Sequence, residues 1–215
     1  MRHLRTPARW LRSLAAAIGL AGCAVSDPTQ YYALGEFSAR SAGSTESASI
    51  GSTPASRTDP TEAVSIGVGP VIVPGYLHRS QIVTRIGADQ LELATFQRWA
   101  EPLEDGIARI LAEQVSARVP TDRIVVYPWR GAIARALQYQ VVVAVMRFDG
   151  RQSGDVVLDA RWRILSKDGA ELALKRSTIT DTASGLGIQP VIAAMTRTLI
   201  ALGQDIAGEI RALPR

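Results

Sequence analysis

Few side chains in this sequence could carry out catalysis. The 215 residues include one cysteine, Cys23, and two histidines, His3 and His78. A Ser-His-Asp triad needs a serine presented beside a histidine, and the chain contains no Gly-x-Ser-x-Gly turn. A zinc site would depend almost wholly on carboxylates. Gly67-Val68-Gly69 is followed by Pro70 and by no Lys-Ser/Thr pair, so it is not a phosphate-binding loop. We therefore expect a protein that is not an enzyme, with no metal and no cofactor.

Residues 1–22 have the pattern of a bacterial signal peptide, with a basic start and a short apolar stretch from Leu14 to Leu20. That stretch is shorter than the roughly 20 residues that a membrane-spanning helix needs. It ends in Leu20-Ala21-Gly22-Cys23, which resembles a bacterial lipobox. We therefore expect removal of residues 1–22 and acylation of Cys23, whose acyl chains would anchor the protein. The alternative is an ordinary signal peptide followed by a chance cysteine.

Removal of this segment changes the charge of the chain. The full sequence has 24 basic and 20 acidic residues, and four of the arginines lie in residues 1–22, which contain no Asp or Glu. The mature chain would have no formal net charge, so nucleic acid is not an expected partner. Ala24 follows the cysteine in place of the Asp that favours retention in the inner membrane. We expect attachment to the periplasmic face of the outer membrane.

The mature chain, residues 23–215, is long enough for one compact domain. Apolar and turn residues predict a first strand near Tyr31 and a meander of three strands over about 64–98. A helix follows from Glu101, then a strand at Ile124–Tyr127, a loop at 130–134 and three long strands between 137 and 180. The last helix begins near Pro190. This order predicts an α+β domain, with a largely antiparallel mixed sheet and two amphipathic helices packed on one face.

Three details of this prediction can be checked directly. The centre of the strand at 137–148 is apolar at every position, which is typical of a strand covered on both faces. Trp162 and Met195 fall on buried stripes, so both are expected in the core rather than in a site. The segment Ser38–Thr61 is rich in Ser, Gly, Ala, Thr and Pro and indicates a flexible loop, although a role in partner recognition is left open.

The turn Pro74–Gln81 is the candidate docking surface. Tyr76 and Leu77 sit in a Pro-Gly bend and are followed by His78 and Arg79. An exposed aromatic-aliphatic pair beside two cationic groups would suit contact with a partner or with lipid. The competing interpretation is that the pair folds back over the sheet as core. Arg98 is a further candidate for binding a carboxylate or a lipid phosphate.

Several of these segments together resemble the PqiC-type auxiliary lipoproteins of ABC-type and MCE-type transport systems. The resemblance rests on these segments: Gly67–Pro70, Pro74–Leu77, Arg79, Gln81–Val83, Arg98–Leu103 and Ala194–Leu199. It covers most of the chain after Cys23. It implies a non-catalytic outer-membrane lipoprotein that helps to move phospholipid between the two membranes and supports envelope integrity. The implied partner is an MCE-domain protein, and a homo-oligomer is left open.

Two other functions compete with this one. A structural or assembly lipoprotein could anchor an envelope complex without handling lipid cargo, and the sequence alone does not separate it from a transport component. An enzyme is the third candidate, and the scarcity of histidine and cysteine argues against it.

Overall fold

The computed structural model describes residues 28–35, 64–121, 123–152 and 154–213. Residues 1–27, which include the predicted signal peptide and Cys23, and the predicted loop Ser38–Thr61 lie outside them. The elements, in chain order, are β1 Gln30–Tyr32, β2 Ile66–Ile72, β3 Gln81–Arg85, β4 Leu91–Trp99, α1 Leu103–Ser116, β5 Ile124–Val126, α2 Gly131–Ala136, β6 Tyr139–Gly150, β7 Asp155–Ser166, β8 Glu171–Thr182 and α3 Ile188–Ala212. In these ranges, no helix has the length and apolar character needed to cross a membrane.

The larger sheet has five strands in the order β5-β2-β6-β7-β8. β2 runs parallel to both of its neighbours, whereas β6, β7 and β8 form an antiparallel meander of 12-residue strands. The hairpin between β7 and β8 turns at Lys167-Asp168-Gly169, where Gly169 has a φ of 80° that favours glycine. The α+β class, with a mixed sheet, is therefore as the sequence predicts.

A smaller sheet has the order β1-β4-β3. β1 is parallel to β4, and β3 is antiparallel to it. The predicted three-strand meander over 64–98 is wrong in this respect, because β2 belongs to the larger sheet. Both edges of β2 are already occupied by β5 and β6, so β3 cannot pair with it. The single predicted sheet is thus two sheets.

The helices α1 and α3 pack against each other and on one face of the larger sheet. Their apolar stripes meet the alternate residues of β6 and β7 that point to the same side, which include Val143 and Trp162. Trp162 is 2% exposed and Met195 is 1% exposed, so both are core residues as predicted. The indole Nε1 of Trp162 also donates a hydrogen bond of 3.1 Å to Ser177 Oγ.

The opposite face of the larger sheet is partly open, and the prediction that β6 is covered on both faces is wrong. Ile72, Met146 and Leu174 are 50–61% exposed. Val142 of β6, which lies beside Ile72 and Leu174, is 7% exposed and Ala144 is half-buried, so this face of β6 is covered only in part. Residues 130–134, predicted as a loop, instead begin the short helix α2, none of whose residues is buried.

Candidate docking site

The turn between β2 and β3 is closed by its own backbone. Leu77 N–H donates to Pro74 O at 2.9 Å, His78 N–H to Gly75 O at 3.3 Å and Arg79 N–H to Leu77 O at 2.8 Å. Beyond the turn, Trp99 N–H donates to Ser80 O at 2.7 Å, which attaches the turn to the end of β4. The backbone of this turn is therefore fixed. The side chains of Tyr76, Leu77, His78 and Arg79 point from it in different directions.

Tyr76 and Leu77 are not the exposed pair that the sequence predicts. Leu77 is 3% exposed and belongs to the main core. Tyr76 is half-buried, and its hydroxyl donates to Asp149 Oδ2 at 3.2 Å. The turn folds back because an apolar side chain of this size gains more by burial than by exposure. The competing interpretation is thus correct for Leu77, and for most of the Tyr76 side chain.

His78 and Arg79 remain at the surface. Together with Ser80 and residues 99–104 they line a groove of about 350 Å³. His78 Nδ1 lies 3.5 Å from Glu104 Oε1, with the histidine side chain 73% exposed. Arg79 is exposed and has no carboxylate partner among the residues that the structure describes. The part of the predicted surface that is available to a partner is therefore this groove.

Arg98 does not join this group as an ion-pair partner. Its Nη1 donates to Ser80 Oγ at 3.3 Å, a contact that supports the same turn from the neighbouring strand. Arg98 is half-exposed, so it remains accessible from solvent. We assign it to the edge of the groove.

A cluster of charged residues missed at the sequence level lies behind the turn. Asp149, whose side chain is fully buried, accepts two hydrogen bonds from Arg85, at 2.7 Å from Nε and 2.9 Å from Nη2. Arg147 donates to the same carboxylate at 3.1 Å. With Tyr76, three elements thus converge on one carboxylate. One feature of the sequence could have indicated this cluster: an aspartate at the end of a long apolar strand, with an arginine two residues before it.

The electrostatics of this cluster follow from its geometry. Burial alone would raise the pKa of Asp149, but the hydrogen bonds from Arg85 and Arg147 outweigh burial and hold the pKa below its ordinary value. Burial and the nearby Asp149 charge raise the pKa of the Tyr76 hydroxyl. The lowered pKa keeps the Asp149 carboxylate ionised and the raised pKa keeps the Tyr76 hydroxyl protonated, which suits a buried ion pair with a neutral hydrogen-bond donor.

A second missed contact fixes the short strand β1. Arg109 of α1 donates from Nη2 to Leu34 O at 2.9 Å and to Glu101 Oε1 at 2.7 Å. The hydrogen bond to Glu101 is the main cause of the raised pKa of Arg109. Gly35 N–H also donates to Thr196 Oγ1 at 3.1 Å. The N-terminal part of the domain is thereby tied to both long helices.

The fold is shared with solved structures of low sequence identity. The crystal structure of an uncharacterized protein is 19% identical, covers 86% of this chain and 99% of its own, and has a TM-score of 0.64. Protein XCC0632 from Xanthomonas campestris, of family DUF330, is 14% identical, covers 85% and 94% respectively, and has a TM-score of 0.62. No curated protein matches the chain.

The family model for the ABC-type transport auxiliary lipoprotein component matches residues 49–207. The chain belongs to this family. The resemblance seen in the turn and strand motifs is therefore confirmed. The family comprises lipoproteins of the cell envelope that accompany ABC-type transport systems, and it is not a known class of enzyme.

Proposed function

We propose that this protein is an outer-membrane lipoprotein that faces the periplasm and assists an MCE-type system moving phospholipid between the two membranes. It acts by docking, without catalysis or cofactor. The observation that carries the proposal is membership of the transport auxiliary family over residues 49–207. The sequence motifs that resemble PqiC-type proteins support the narrower assignment to lipid transport.

The anchor in this proposal is Cys23. It follows the lipobox-like Leu20-Ala21-Gly22, and it is the one thiol of the chain. Cys23→Ala should leave the precursor unprocessed or the protein soluble, with the melting temperature of the folded domain unchanged. Mass spectrometry of the N-terminal peptide and membrane fractionation test this. Tight association of the variant with outer membranes after a high-salt wash would contradict the assignment.

The docking surface in this proposal is the groove that contains His78 and Arg79. Arg79 presents a guanidinium with no carboxylate partner in the described ranges, so a carboxylate of an MCE-domain protein could pair with it. Glu101 and Glu104 add negative charges beside the guanidinium of Arg79, and His78 adds a polar side chain. Charges of both signs around a groove increase specificity for a partner more than they increase affinity.

Charge reversal at Arg79 tests this surface. Arg79→Glu should reduce capture of the MCE-domain protein by the acylated protein, while its melting temperature stays the same because the side chain is exposed. Arg130→Glu is the matched control, since Arg130 is also exposed but precedes α2, away from the groove. Equal capture by the two variants would exclude this groove as the docking surface.

The alternative function is a structural or assembly lipoprotein that anchors an envelope complex without handling lipid. The amount of phospholipid per captured complex distinguishes the transport function from the anchoring function. A transport component should change the amount of lipid that its partner carries. Genes for an MCE protein, a permease and an ATPase beside this gene would likewise favour transport. Capture with no change in lipid content would favour the anchoring role.

A further inference from the structure

One end of the domain displays apolar side chains on two separate loops. Leu186 is 90% exposed in the connection between β8 and α3. Ile86, at the start of the β3–β4 turn, is 54% exposed, and Leu93 in β4 is 45% exposed. Single exposed apolar residues are common on protein surfaces, so their shared location is what needs explanation. We call these three residues the apolar end.

The backbone fixes the positions of both loops. Leu186 lies between Gly185 and Gly187, which have φ values of 128° and 87° that side chains other than glycine rarely adopt. The β3–β4 turn is closed by hydrogen bonds from Ile86 N–H and Gly87 N–H to Gln90 O, at 3.0 and 3.3 Å. Each loop therefore presents its apolar side chain from a defined backbone conformation.

Leu186 and Leu93 border one surface. A groove of about 630 Å³ is lined by Leu93 and Leu186 and also by Gln30 of β1. Ile86 follows Thr84, which lines the same groove, by two residues. Gln30 is the link to the anchor, because only two described residues precede it in the chain. The apolar end thus lies beside the point where the tether from Cys23 enters the domain.

The register of β1 sets the direction in which the described chain enters the domain. β1 is parallel to β4, and Gln30 pairs with Gln97. From Tyr32 back to Gln30, β1 therefore points along β4 in the direction of Leu93 and the β3–β4 turn. Cys23 lies seven residues before Gln30, and Gln90, which closes the turn, lies seven residues before Gln97. A seven-residue chain reaches at most about 25 Å, so an anchor at Cys23 lies within about that distance of Gln30, which lines the groove.

The charges at this end argue against simple electrostatic attraction to anionic lipid. Asp89 and Glu92 are exposed beside the β3–β4 turn, and Arg151 is exposed in the loop after β6. Charge of mixed sign leaves burial of apolar surface as the driving force for contact with a bilayer. Contact of that kind should be insensitive to salt.

We propose that the apolar end rests in the lipid surface, with Leu186 and Ile86 inserted into the interface beside the acyl anchor. This proposal depends on the acylation of Cys23 proposed above. It sets the orientation of the domain on the membrane, whereas a tether alone would leave the domain free to rotate.

The chain offers a direct test, because acylation occupies its one thiol. Leu186→Cys then carries the single free thiol of the acylated full-length protein, and an NBD fluorophore can be attached to it. In vesicles of phosphatidylcholine, with and without phosphatidylglycerol, we expect a blue shift of the emission. We also expect quenching by lipids with brominated acyl chains, unchanged by salt. Ile86→Cys should give the same result.

Leu174→Cys is the matched control. Leu174 is 61% exposed but lies eight residues before the end of β8, about 26 Å along the strand from the apolar end. Its label should keep the emission of an aqueous probe and resist quenching. Both leucines are exposed, so neither substitution should alter folding, and melting curves of the labelled proteins check this.

The outcomes separate this inference from the proposed anchor. If the protein is acylated and floats with the vesicles but the label at position 186 stays aqueous, the inference is wrong and the anchor stands. If the N-terminal peptide has no acyl chains and the protein does not float, both are wrong. If the labels at positions 174 and 186 are quenched equally, the membrane contact is not specific to the apolar end and the inference fails.

Discussion

Arg85 of β3 and Asp149 of β6 form a bidentate ion pair, with hydrogen bonds of 2.7 and 2.9 Å between the guanidinium and the carboxylate. The pair joins the smaller sheet to the larger one. Because the Asp149 side chain is fully buried, it depends on Arg85 and Arg147 for compensation of its charge. The relative position of the two sheets, and of the turn at Tyr76, therefore depends on this carboxylate.

Replacement of the carboxylate should be costly. Asp149→Asn keeps the shape but leaves the buried part of Arg85 without its counter-ion, so we expect the free energy of unfolding to fall by about 3–5 kcal/mol. Urea denaturation measures the loss. Asp159→Asn is the control, since Asp159 accepts two similar hydrogen bonds from an exposed arginine, Arg176. The control should lose much less, and equal losses would contradict a special role for Asp149.

The same carboxylate should contribute to the acid sensitivity of the protein. The pKa of Asp149 in the folded state lies below its ordinary value of 3.8. Its stabilising contribution is therefore complete above that value, and it is lost as the pH falls through the folded pKa. On acidification, the native protein should lose stability more steeply than Asp149→Asn. Part of the slope should remain in the variant, because the pKa values of Asp159 and Asp181 are lowered too.

If the stability of the native protein and of Asp149→Asn depends on pH in the same way, Asp149 has the same pKa in the folded and the unfolded chain, and the prediction is wrong. The measurement is the urea midpoint at a series of pH values from neutral to acid. Arg85→Met should also make this dependence shallower, because it removes the hydrogen bond that lowers the pKa of Asp149 most.

The contact between α1 and α3 depends on a glycine. A Cβ atom at Gly203 would lie 2.5 Å from Gln114 Cβ, whereas one at Gly208 would meet no atom within 4 Å. Gly203→Ala should therefore destabilise the protein by about 1–3 kcal/mol through overpacking, despite the better helix propensity of alanine. Gly208→Ala on the same helix should stabilise it by up to about 1 kcal/mol. Thermal unfolding of both variants checks this, and a stabilised Gly203→Ala would show that the helices can separate at little cost.

Local patterns were enough to predict most of the elements of this fold. The alternation through β7 and the Asp168-Gly169 turn before β8 define a hairpin without reference to the rest of the chain. The assignment of β2 to a different sheet from β3 could not be predicted in this way. It depends on pairing with β5 and β6, which are distant in sequence and run parallel to β2.

The candidate site shows the same limit. His78 and Arg79 are charged or polar, so their exposure follows from residue type. The position of Tyr76 and Leu77 depends on whether the turn folds over the core, and only the tertiary structure decides that. The role of Asp149 could not be identified from the sequence, because its partner Arg85 is 64 residues away. Charges that pair across such distances leave no periodic signal in the sequence.

Substitution by alanine should have very different effects on stability at Leu77 and at Leu186. Leu77 is 3% exposed in the core beneath the docking turn, and Leu186 is 90% exposed at the apolar end. Leu77→Ala should reduce the free energy of unfolding by about 2–5 kcal/mol, because it leaves a cavity. Leu186→Ala should change it by less than about 0.5 kcal/mol.

Partner capture by the Leu77→Ala protein at low temperature, where it remains folded, then tests how the docking groove is built. Because Leu77 lies under the turn and not in the groove, capture should be close to that of the native protein once the variant is folded. Arg79→Glu should behave in the reverse way, with native stability and reduced capture. A Leu77→Ala protein that is fully stable would contradict the burial of this side chain. One that is folded but binds no partner would show that packing beneath the turn sets the shape of the groove.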